Sequence, residues 1–342
     1  MELQQLQFLW YLVFATAMFA YAALDGFDIG VGCLNVFART DYDRRIFINA
    51  IGPVWDSNAL WVVITTGGLL AGFPVAFATL FSSLYMPMMT LMFGYIMRGV
   101  AIEFRSQLEN SSWRSFWDWV FTSASFMLAF GFGVALANLI HGIPLDQNGL
   151  IIADQQNLLS PYAILMGIFT SVLFMLHGAL YLNLKTDGQL QERVYRWCWR
   201  LFGLFTFLWV IVNIQTPLVE KHVTQLIRQD IWLFPLILVG LVGVTGLFYS
   251  LCKRFAGWAF LSSCVIILSL IISYALGTFP NIVRSSINPE SHSMTIYNAS
   301  ATAFTLKILL GIAAAGVPLF ILYVVYTYKV FRGKVEIDTM SY

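Results

Sequence analysis

The sequence has few charged residues and few residues that bind metals or form disulfides. Only 11% of its 342 residues are charged, whereas 59% are hydrophobic, and the mean hydropathy is +0.74. Soluble domains carry roughly 25% charged residues, so this composition excludes a soluble globular protein. The four cysteines form no CxxC pair and predict neither a disulfide framework nor a zinc site. The net charge of +1, without a basic patch, argues against a nucleic-acid partner.

The chain also lacks any polar segment long enough to form a domain, because hydrophobic runs fill most of it. These runs are about 20 residues long, which is enough to cross ~30 Å of hydrocarbon. They predict an all-α integral membrane protein with one polytopic domain over residues 1–342 and nine transmembrane helices. The predicted spans are 8–36, 47–72, 74–97, 119–142, 160–184, 198–219, 231–251, 256–279 and 302–330. The first has no basic flank and no short apolar core, so we expect a retained helix rather than a signal peptide.

Lysine and arginine are distributed unevenly between the predicted loops. Fifteen follow odd-numbered spans, including Arg98 and Arg105, whereas three follow even-numbered spans: Lys221, Arg228 and Arg284. Because positively charged loops are retained in the cytoplasm, we predict that the N-terminus is outside and the C-terminus is cytoplasmic.

The two longest predicted loops are 98–118 and 280–301. The first would be cytoplasmic, and its arginines and tryptophans are typical of anchoring at the membrane interface. The second would be outside; it is polar and contains prolines, and we expect it to cap the bundle or contact a partner chain. Since neither loop is long enough to be a domain, the chemistry must take place in or at the bilayer.

Three carboxylates interrupt the apolar spans: Asp25, Asp28 and Asp56. An aspartate at the bilayer centre costs about 2.5–3.5 kcal/mol on translocon scales and is usually functional. Counted by helical rise, all three lie at one level, slightly on the predicted cytoplasmic side of the midplane. Carboxylates that share a low-dielectric site cannot all ionise, so at least one should hold a proton, as a proton relay requires. The three also fit a hard cation, although no other intramembrane carboxylate would complete its shell.

Residues beside these acids predict close packing and a wet pocket. Gly26 and Gly30 form a small-xxx-small pair that allows a second helix to approach closely. Asn49, Pro53 and Asp56 follow each other at i, i+4 and i+7 and would form one stripe of the second span. Pro53 frees a backbone carbonyl, which side chains or water satisfy at membrane depth.

The histidines do not predict a haem site within this chain. His141 lies at the outer end of its predicted span and His177 ~25 Å into the next, so the pair cannot hold one iron. Ligation by one histidine and one methionine stays an alternative, beside an interhelical hydrogen bond from His177. Lys307 lies about one turn below the outer surface, where its stem can snorkel. We predict that Lys307, His177 and Trp61 contact lipid or a partner chain.

Several motifs follow each other along the chain in a specific order. DGFDIGVG on the first helix is followed by RTDYDRR and then by INAIGPVWDSNALW on the second, and SWRSFWDW, NLIHGIP and LHGALYLNLKT come later. Over essentially its whole length the sequence resembles subunit II of the cytochrome bd-type quinol oxidases. The resemblance implies a multi-pass subunit of the bacterial plasma (inner) membrane, in a heterodimer that oxidises quinol and reduces dioxygen to water.

The resemblance also implies partners and residue roles. Haem b and haem d are expected in the partner, subunit I, with none bound by this chain alone, and subunit II would support the haem-bearing bundle. A small single-span subunit, membrane lipid, and a quinone or lipid at the surface of this chain are further expectations. The family's acids match those found here and imply a cytoplasmic proton path. The residues assigned to that path are Asp25, Asp28, Asp56, Asn49, Ser57 and Asn58.

The sequence departs from the family pattern just after Asp56. The usual Gly-Asn is followed by Glu or Gln, whereas this chain has Ser57, Asn58 and Ala59. Ala59 removes a polar group from the predicted wet face, so Ser57, Asn58 or water must substitute for it, or the path runs through the partner. Two other functions fit the same residues: a proton- or cation-coupled transporter, and a purely structural membrane scaffold.

Overall fold

The computed structural model describes residues 2–147, 149–152, 157–223 and 234–337, without the side chains of Ser83 and residues 234–237. Most of these residues are helical. The helices are α1 (Leu3–Leu34), α2 (Asp41–Ile51), α3 (Trp55–Gly72), α4 (Pro74–Ser83), α5 (Tyr85–Phe104), α6 (Ser111–His141), α7 (Pro161–Lys185), α8 (Gly188–Val219), α9 (Phe234–Cys252), α10 (Ala256–Thr278), α11 (Pro289–His292) and α12 (Ala303–Val330). Two short antiparallel strands, β1 (Asn281–Val283) and β2 (Met294–Thr295), lie on either side of α11.

Six helices in the described part of the chain are long and apolar enough to cross a membrane: α1, α6, α7, α8, α10 and α12. Helices α3 and α4 meet the same criterion only as a pair, and they are bent by 117° between Gly72 and Pro74. The chain is therefore an all-α membrane protein with six or seven candidate spans. The number nine and the orientation of the termini stay predictions.

The predicted second span, 47–72, is interrupted in the structure. Helix α2 ends at Ile51 and α3 begins at Trp55, with Pro53 between them. Proline has no backbone N–H, and its ring clashes with the preceding turn, so a continuous helix does not form here. The prediction that Asn49 and Asp56 share one helical stripe is therefore wrong.

The predicted loop 98–118 is also shorter than expected. Helix α5 continues to Phe104 and α6 begins at Ser111, so Arg98 lies within a helix. Arg98 and Arg105 are both 1% exposed, because each is paired with an aspartate. The prediction that Arg98 is a loop residue is therefore wrong, whereas Arg105 does lie in the connection between α5 and α6. Arg228 and residues 231–233 of the predicted seventh span lie outside the described residues.

Short polar side chains and prolines begin several helices. The Thr40 hydroxyl accepts from the backbone N–H of Asp43, and the Asn110 side chain accepts from that of Ser112. These caps satisfy N–H groups that have no partner within the helix. Helices α4 and α7 begin at Pro74 and Pro161, where the missing proline N–H costs nothing.

Helix α1 lies at the centre of the bundle and packs against α3, α6, α7, α10 and α12. It approaches α7 most closely at Gly30, where an added Cβ would lie 1.8 Å from the carbonyl oxygen of Phe174. At Gly178 of α7 an added Cβ would lie 2.5 Å from the backbone nitrogen of Val31. Two glycines thus face each other, and Gly26 contacts the ring of Phe174.

The segment predicted as outer loop 280–301 packs on the end of the bundle that holds the start of α1. Val283 and Ile296 are fully buried there with Leu6 and Leu145. The Gln7 amide donates to the Ser300 hydroxyl at 2.7 Å. The segment therefore caps this end of the bundle.

Candidate functional site

Asp25 and Arg98 form an ion pair in the interior of the bundle. Arg98 Nη2 lies 2.5 Å from Asp25 Oδ1, and the two side chains are 1% and 0% exposed. Asp25 comes from α1 and Arg98 from α5. Removing two charges from water is expensive, and a short charge-assisted hydrogen bond recovers part of that cost.

Two tyrosines extend the ion pair on its other side. The Tyr95 hydroxyl donates to Asp25 Oδ2 at 3.0 Å, and the Tyr21 hydroxyl is hydrogen-bonded to that of Tyr95. Since Tyr95 gives its proton to Asp25, Tyr21 is the donor in the second bond. The Arg98 guanidinium also lies over the Tyr95 ring, 5.4 Å from its centroid. Both Asp25 oxygens are therefore hydrogen-bonded.

Asp28 lies one turn further along α1 and has different neighbours. The Asn58 amide Nδ2 donates to Asp28 Oδ2 at 2.8 Å, and the Tyr328 hydroxyl donates to Asn58 Oδ1 at 3.2 Å. Asp28 and Asn58 are both 0% exposed. The second oxygen, Oδ1, has no hydrogen-bond partner among the described residues.

The site contains two carboxylates and one buried guanidinium. Arg98 balances the charge of Asp25, and Asn58 brings no charge to Asp28. An isolated carboxylate in a low-dielectric interior becomes neutral by taking up a proton. Asp28 is therefore the acid of the site that has no ion pair of its own among the described residues, with Asp25 and Arg98 as a pair beside it.

The structure separates Asp56 from the other two acids. Asp25 and Asp28 are fully buried, whereas Asp56 lies at the exposed start of α3. The helix is broken at Pro53, and Asn58 rather than Asp56 contacts Asp28. The expected layer of three acids is a layer of two within this chain.

The other residues expected along the path are placed as follows. The Ser57 hydroxyl is buried and donates to the Val54 carbonyl at 2.8 Å. The Asn49 amide donates to the Arg45 carbonyl at 2.8 Å within α2. Neither bond leads to Asp28, so Asn58 is the residue of this group that contacts it. Ala59 is half-buried.

Two of the three expected lipid or partner contacts are internal. His177 is fully buried; its Nε2 donates to the Ala23 carbonyl at 2.8 Å, and its Nδ1 is hydrogen-bonded to Ser263 at 2.7 Å. Trp61 is 4% exposed and packs against Phe320. Assigning these two to a lipid or partner surface was wrong, because helices of the same chain cover them. Lys307 is exposed.

The histidine geometry bears on haem ligation. Both ring nitrogens of His177 are engaged, and His141 Nδ1 bonds to Glu220 Oε1 at 2.6 Å. Within the described residues no group of three histidine, cysteine, aspartate or glutamate side chains could hold a metal ion. The side chains of the buried site fit hydrogen bonding and proton exchange better than metal binding.

A second polar network lies at the end of the bundle where α1 ends. The buried Arg105 bonds through Nε to Asp118 Oδ1 at 2.7 Å and through Nη2 to Asp41 Oδ1 at 2.7 Å. Nearby, Arg193 bonds to both oxygens of Asp43. Burial alone would raise the pKa of Asp43, but hydrogen bonds from Arg193 and the backbone outweigh it and lower that pKa. These bonds hold α2, α5, α6 and α8 together.

Sequence reasoning missed four members of the site: Arg98, Tyr95, Tyr21 and Tyr328. Arg98 and Tyr95 lie one turn apart on α5, and Arg98 directly follows the predicted apolar run 74–97. A helical wheel of 85–104 would have placed them on one face. No local signal marks Tyr328, whose contact with Asn58 spans 270 residues.

These features define a class of protein. The chain is a polytopic α-helical membrane protein whose interior holds two hydrogen-bonded groups of polar side chains, one around Asp25 and Arg98 and one around Asp28 and Asn58. A model of the family described as cytochrome bd terminal oxidase subunit II matches residues 6–331, and the chain belongs to that family. The resemblance drawn from its motifs is confirmed.

Relatives and a solved structure agree with this assignment. Cytochrome bd-I ubiquinol oxidase subunit 2 of Escherichia coli K12 is 29% identical, over 98% of this chain and 96% of the relative. Cytochrome bd ubiquinol oxidase subunit 2 of Bacillus subtilis 168 is also 29% identical, over 96% of each chain. A chain of the bd oxidase structure from Geobacillus thermodenitrificans has a TM-score of 0.76 at 17% identity, over 96% of this chain and 98% of that chain. This last similarity shows a shared fold.

Family and helices together locate the protein. Its relatives are bacterial respiratory oxidase subunits, and six or more of its helices can cross a bilayer. It is therefore a multi-pass protein of the bacterial inner membrane.

Proposed function

We propose that this chain, a subunit II of the bd-type quinol:oxygen oxidoreductases, packs beside a haem-bearing subunit I and passes protons through Asp28 to that partner. The observation that carries the proposal is the Asp28 carboxyl, fully buried, with one oxygen held by Asn58 and the other unpartnered among the described residues. A carboxyl group with one hydrogen-bonded oxygen and one unpartnered oxygen can accept a proton from one neighbour and donate it to the next.

Subunit I would hold haem b and haem d. The contacts of His177 within this chain support that assignment, because both of its ring nitrogens are engaged and it is therefore a poor candidate for an axial ligand. When bound, the haems supply the electron transfer and oxygen chemistry. The residues described above would hold and move protons, and keep the helices in place.

Asp56 would belong to the interface with subunit I. It is exposed on this chain, yet a carboxylate at a span is costly against lipid, so a polar partner surface or a wet crevice would cover it. A path from Asp28 to subunit I would then pass through or beside Asp56. The half-buried Ala59 would interrupt that path only on its own face of α3.

We also infer nine spans, with the N-terminus outside and the C-terminus in the cytoplasm. The excess of lysine and arginine in odd-numbered loops remains after Arg98 and Arg105 are removed from it, and it supports this orientation. The exposed apolar side of α12, which includes Phe304, Leu319 and Tyr326, would face lipid or a small single-span subunit. Lys307 would then reach a lipid headgroup or a carboxylate of the partner.

An apolar cavity of about 430 Å³ would accept a quinone or a lipid chain. Its lining is mostly apolar and includes Tyr21, Phe132, Trp209 and Tyr274. Sites of this size and lining suit an extended apolar ligand. Tyr21 also belongs to the hydrogen-bonded group around Asp25.

Isolation through an affinity tag on this chain tests the oxidase assignment. We expect a haem-bearing partner to co-purify, the complex to consume oxygen with a quinol donor, and the chain expressed alone to show no haem absorption. Transport of a solute against its gradient by the chain alone, reconstituted in vesicles, would support a transporter and contradict the proposal.

The exchange of Asp28 for Asn tests the relay. Asparagine keeps the shape and the contact with Asn58 but carries no exchangeable acid proton, so turnover should fall about tenfold, ~1.4 kcal/mol of barrier. Haem content should not change. We expect Asp56→Asn to slow oxygen reduction in the same way. Native turnover in both variants, with intact haem, would contradict the proton relay and support a purely structural role for this chain.

A further inference from the structure

A line of buried polar side chains lies between α1 and α6, on the side of Asp28 that faces the Arg105 network. Asp28 and Gly32 of α1 and Asn35, the helical residue directly after it, fall on one face, since seven residues return to within ~20° of the starting direction. On α6, Asp118, Thr122 and Ser125 repeat the same spacing, and all three are buried. The two stripes face each other, and we call these six residues the α1–α6 seam.

Gly32 brings the two stripes into contact at the centre of the seam. A Cβ added to Gly32 would lie 2.0 Å from Ser125 Oγ, so the serine hydroxyl occupies the space that a side chain at position 32 would fill. Ser125 is 0% exposed and donates to the Phe121 carbonyl at 2.7 Å. Its oxygen can still accept a hydrogen bond from within the seam.

Asn35 joins the stripes one turn further on. Its Nδ2 lies 3.4 Å from both the Asp118 carbonyl and the Thr122 hydroxyl. These long contacts contribute little to stability. Its Oδ1 is buried without a partner among the described residues, as is Oδ1 of Asp28. Two unpartnered acceptors thus lie ~10 Å apart along one helix face, with two hydroxyls between them.

The seam leads to the aqueous phase at the Arg105 network. Arg105 bonds to Asp118 and to Asp41, whose side chain is 46% exposed. Arg114 bonds to the other Asp41 oxygen at 3.2 Å. The solvent-exposed Asp41 is therefore bonded to Arg105, and Arg105 holds Asp118 in position at the end of the seam.

We propose that the α1–α6 seam conducts protons from the solvent at Asp41 to Asp28, an inference that rests on the proposed relay at Asp28. Water hydrogen-bonded to Oδ1 of Asn35 and Oδ1 of Asp28, together with the hydroxyls of Thr122 and Ser125, forms the chain of donors and acceptors. At each step one O–H bond forms as another breaks, and no electrons move. Asn35 is a positioning residue, because an amide orients water but does not relay the proton.

The test compares variants of the complex purified through this chain. Thr122→Val combined with Ser125→Ala removes both hydroxyls. Ser171→Ala is the matched control: Ser171 is also buried in a helix and donates to a carbonyl four residues earlier, that of Gly167, at 2.8 Å. Thr122→Ser keeps its hydroxyl. Proton uptake after an oxygen pulse, read with a pH indicator, is measured beside turnover, haem content and melting temperature.

We expect the double variant to slow proton uptake and turnover about tenfold, with haem content and melting temperature unchanged. Ser171→Ala and Thr122→Ser should keep the native rates. An equal loss in Ser171→Ala would mean a general packing effect and overturn the proposal. If the double variant fails to assemble, Asn35→Leu, which also removes a polar group from the seam, takes its place under the same criteria.

The outcomes separate this inference from the proposed function. A native rate in the double variant together with a slow Asp28→Asn complex would overturn the seam and leave the relay at Asp28 intact. Native rates in both would overturn the relay, and the seam with it.

Discussion

Replacing Arg98 with glutamine should remove most of the assembled complex from the membrane. The change leaves Asp25 buried beside a neutral amide, and breaking a buried ion pair from one side costs about 3–5 kcal/mol. Total folding stabilities are only about 5–15 kcal/mol, so this loss is a large share. The amount of complex in membranes and its melting temperature measure the effect.

Adding Asp25→Asn should restore part of the assembled complex that Arg98→Gln removes. In Arg98→Gln combined with Asp25→Asn neither charge is buried, and the two amides can hydrogen-bond to each other. Arg254 is the control, because its ion pair with Glu192 is exposed on both sides; Arg254→Gln should leave the complex intact. Native amounts of complex in Arg98→Gln alone would mean that the ion pair does not hold α1 to α5.

Replacing Gly30 with alanine should separate α1 from α7. The new methyl group would lie 1.8 Å from the Phe174 carbonyl oxygen, and a backbone atom cannot move away as a side chain can. Overpacking costs typically 1–3 kcal/mol, and the shift would also disturb Asp28, half a turn away. We expect little assembled complex and a lower melting temperature in what remains.

Gly203 provides the matched control for this change. It lies in α8, and no atom lies within 4 Å of an added Cβ. Gly203→Ala should therefore be neutral or stabilise the helix by about 0.4–1 kcal/mol. Equal melting temperatures for Gly30→Ala and the native complex would show that α1 and α7 are not in close contact.

The sequence predicted the parts of the site that depend on one helix. Asp25 and Asp28 are conspicuous in an apolar run, and Gly26 and Gly30 mark a neighbouring face, because helical spacing alone decides both. Arg98 was missed because loop arginines are common, whereas a buried arginine is recognised only with its partner. Its partner, Asp25, lies 73 residues away in the chain.

For Asp56 the prediction failed in the opposite direction, because a residue expected inside the bundle is exposed on this chain. Its depth was predicted on the assumption that 47–72 is one straight helix, but the helix is broken at Pro53 and Asp56 is exposed at the start of α3. Asn58, two residues later, took the place beside Asp28. The direction of a helix after a break depends on tertiary packing, and the bend between α3 and α4 was not foreseen for the same reason.

The most direct measurement of the central claim is the infrared difference spectrum of the complex between its oxidised and reduced states. A carboxylic acid that holds a proton has a C=O stretch distinct from that of a carboxylate, and exchange into D2O shifts it. We predict that such a band changes between the two states, disappears in Asp28→Asn, and persists in Asp56→Asn. A band that survives in Asp28→Asn would contradict the account, because another residue would then hold the proton.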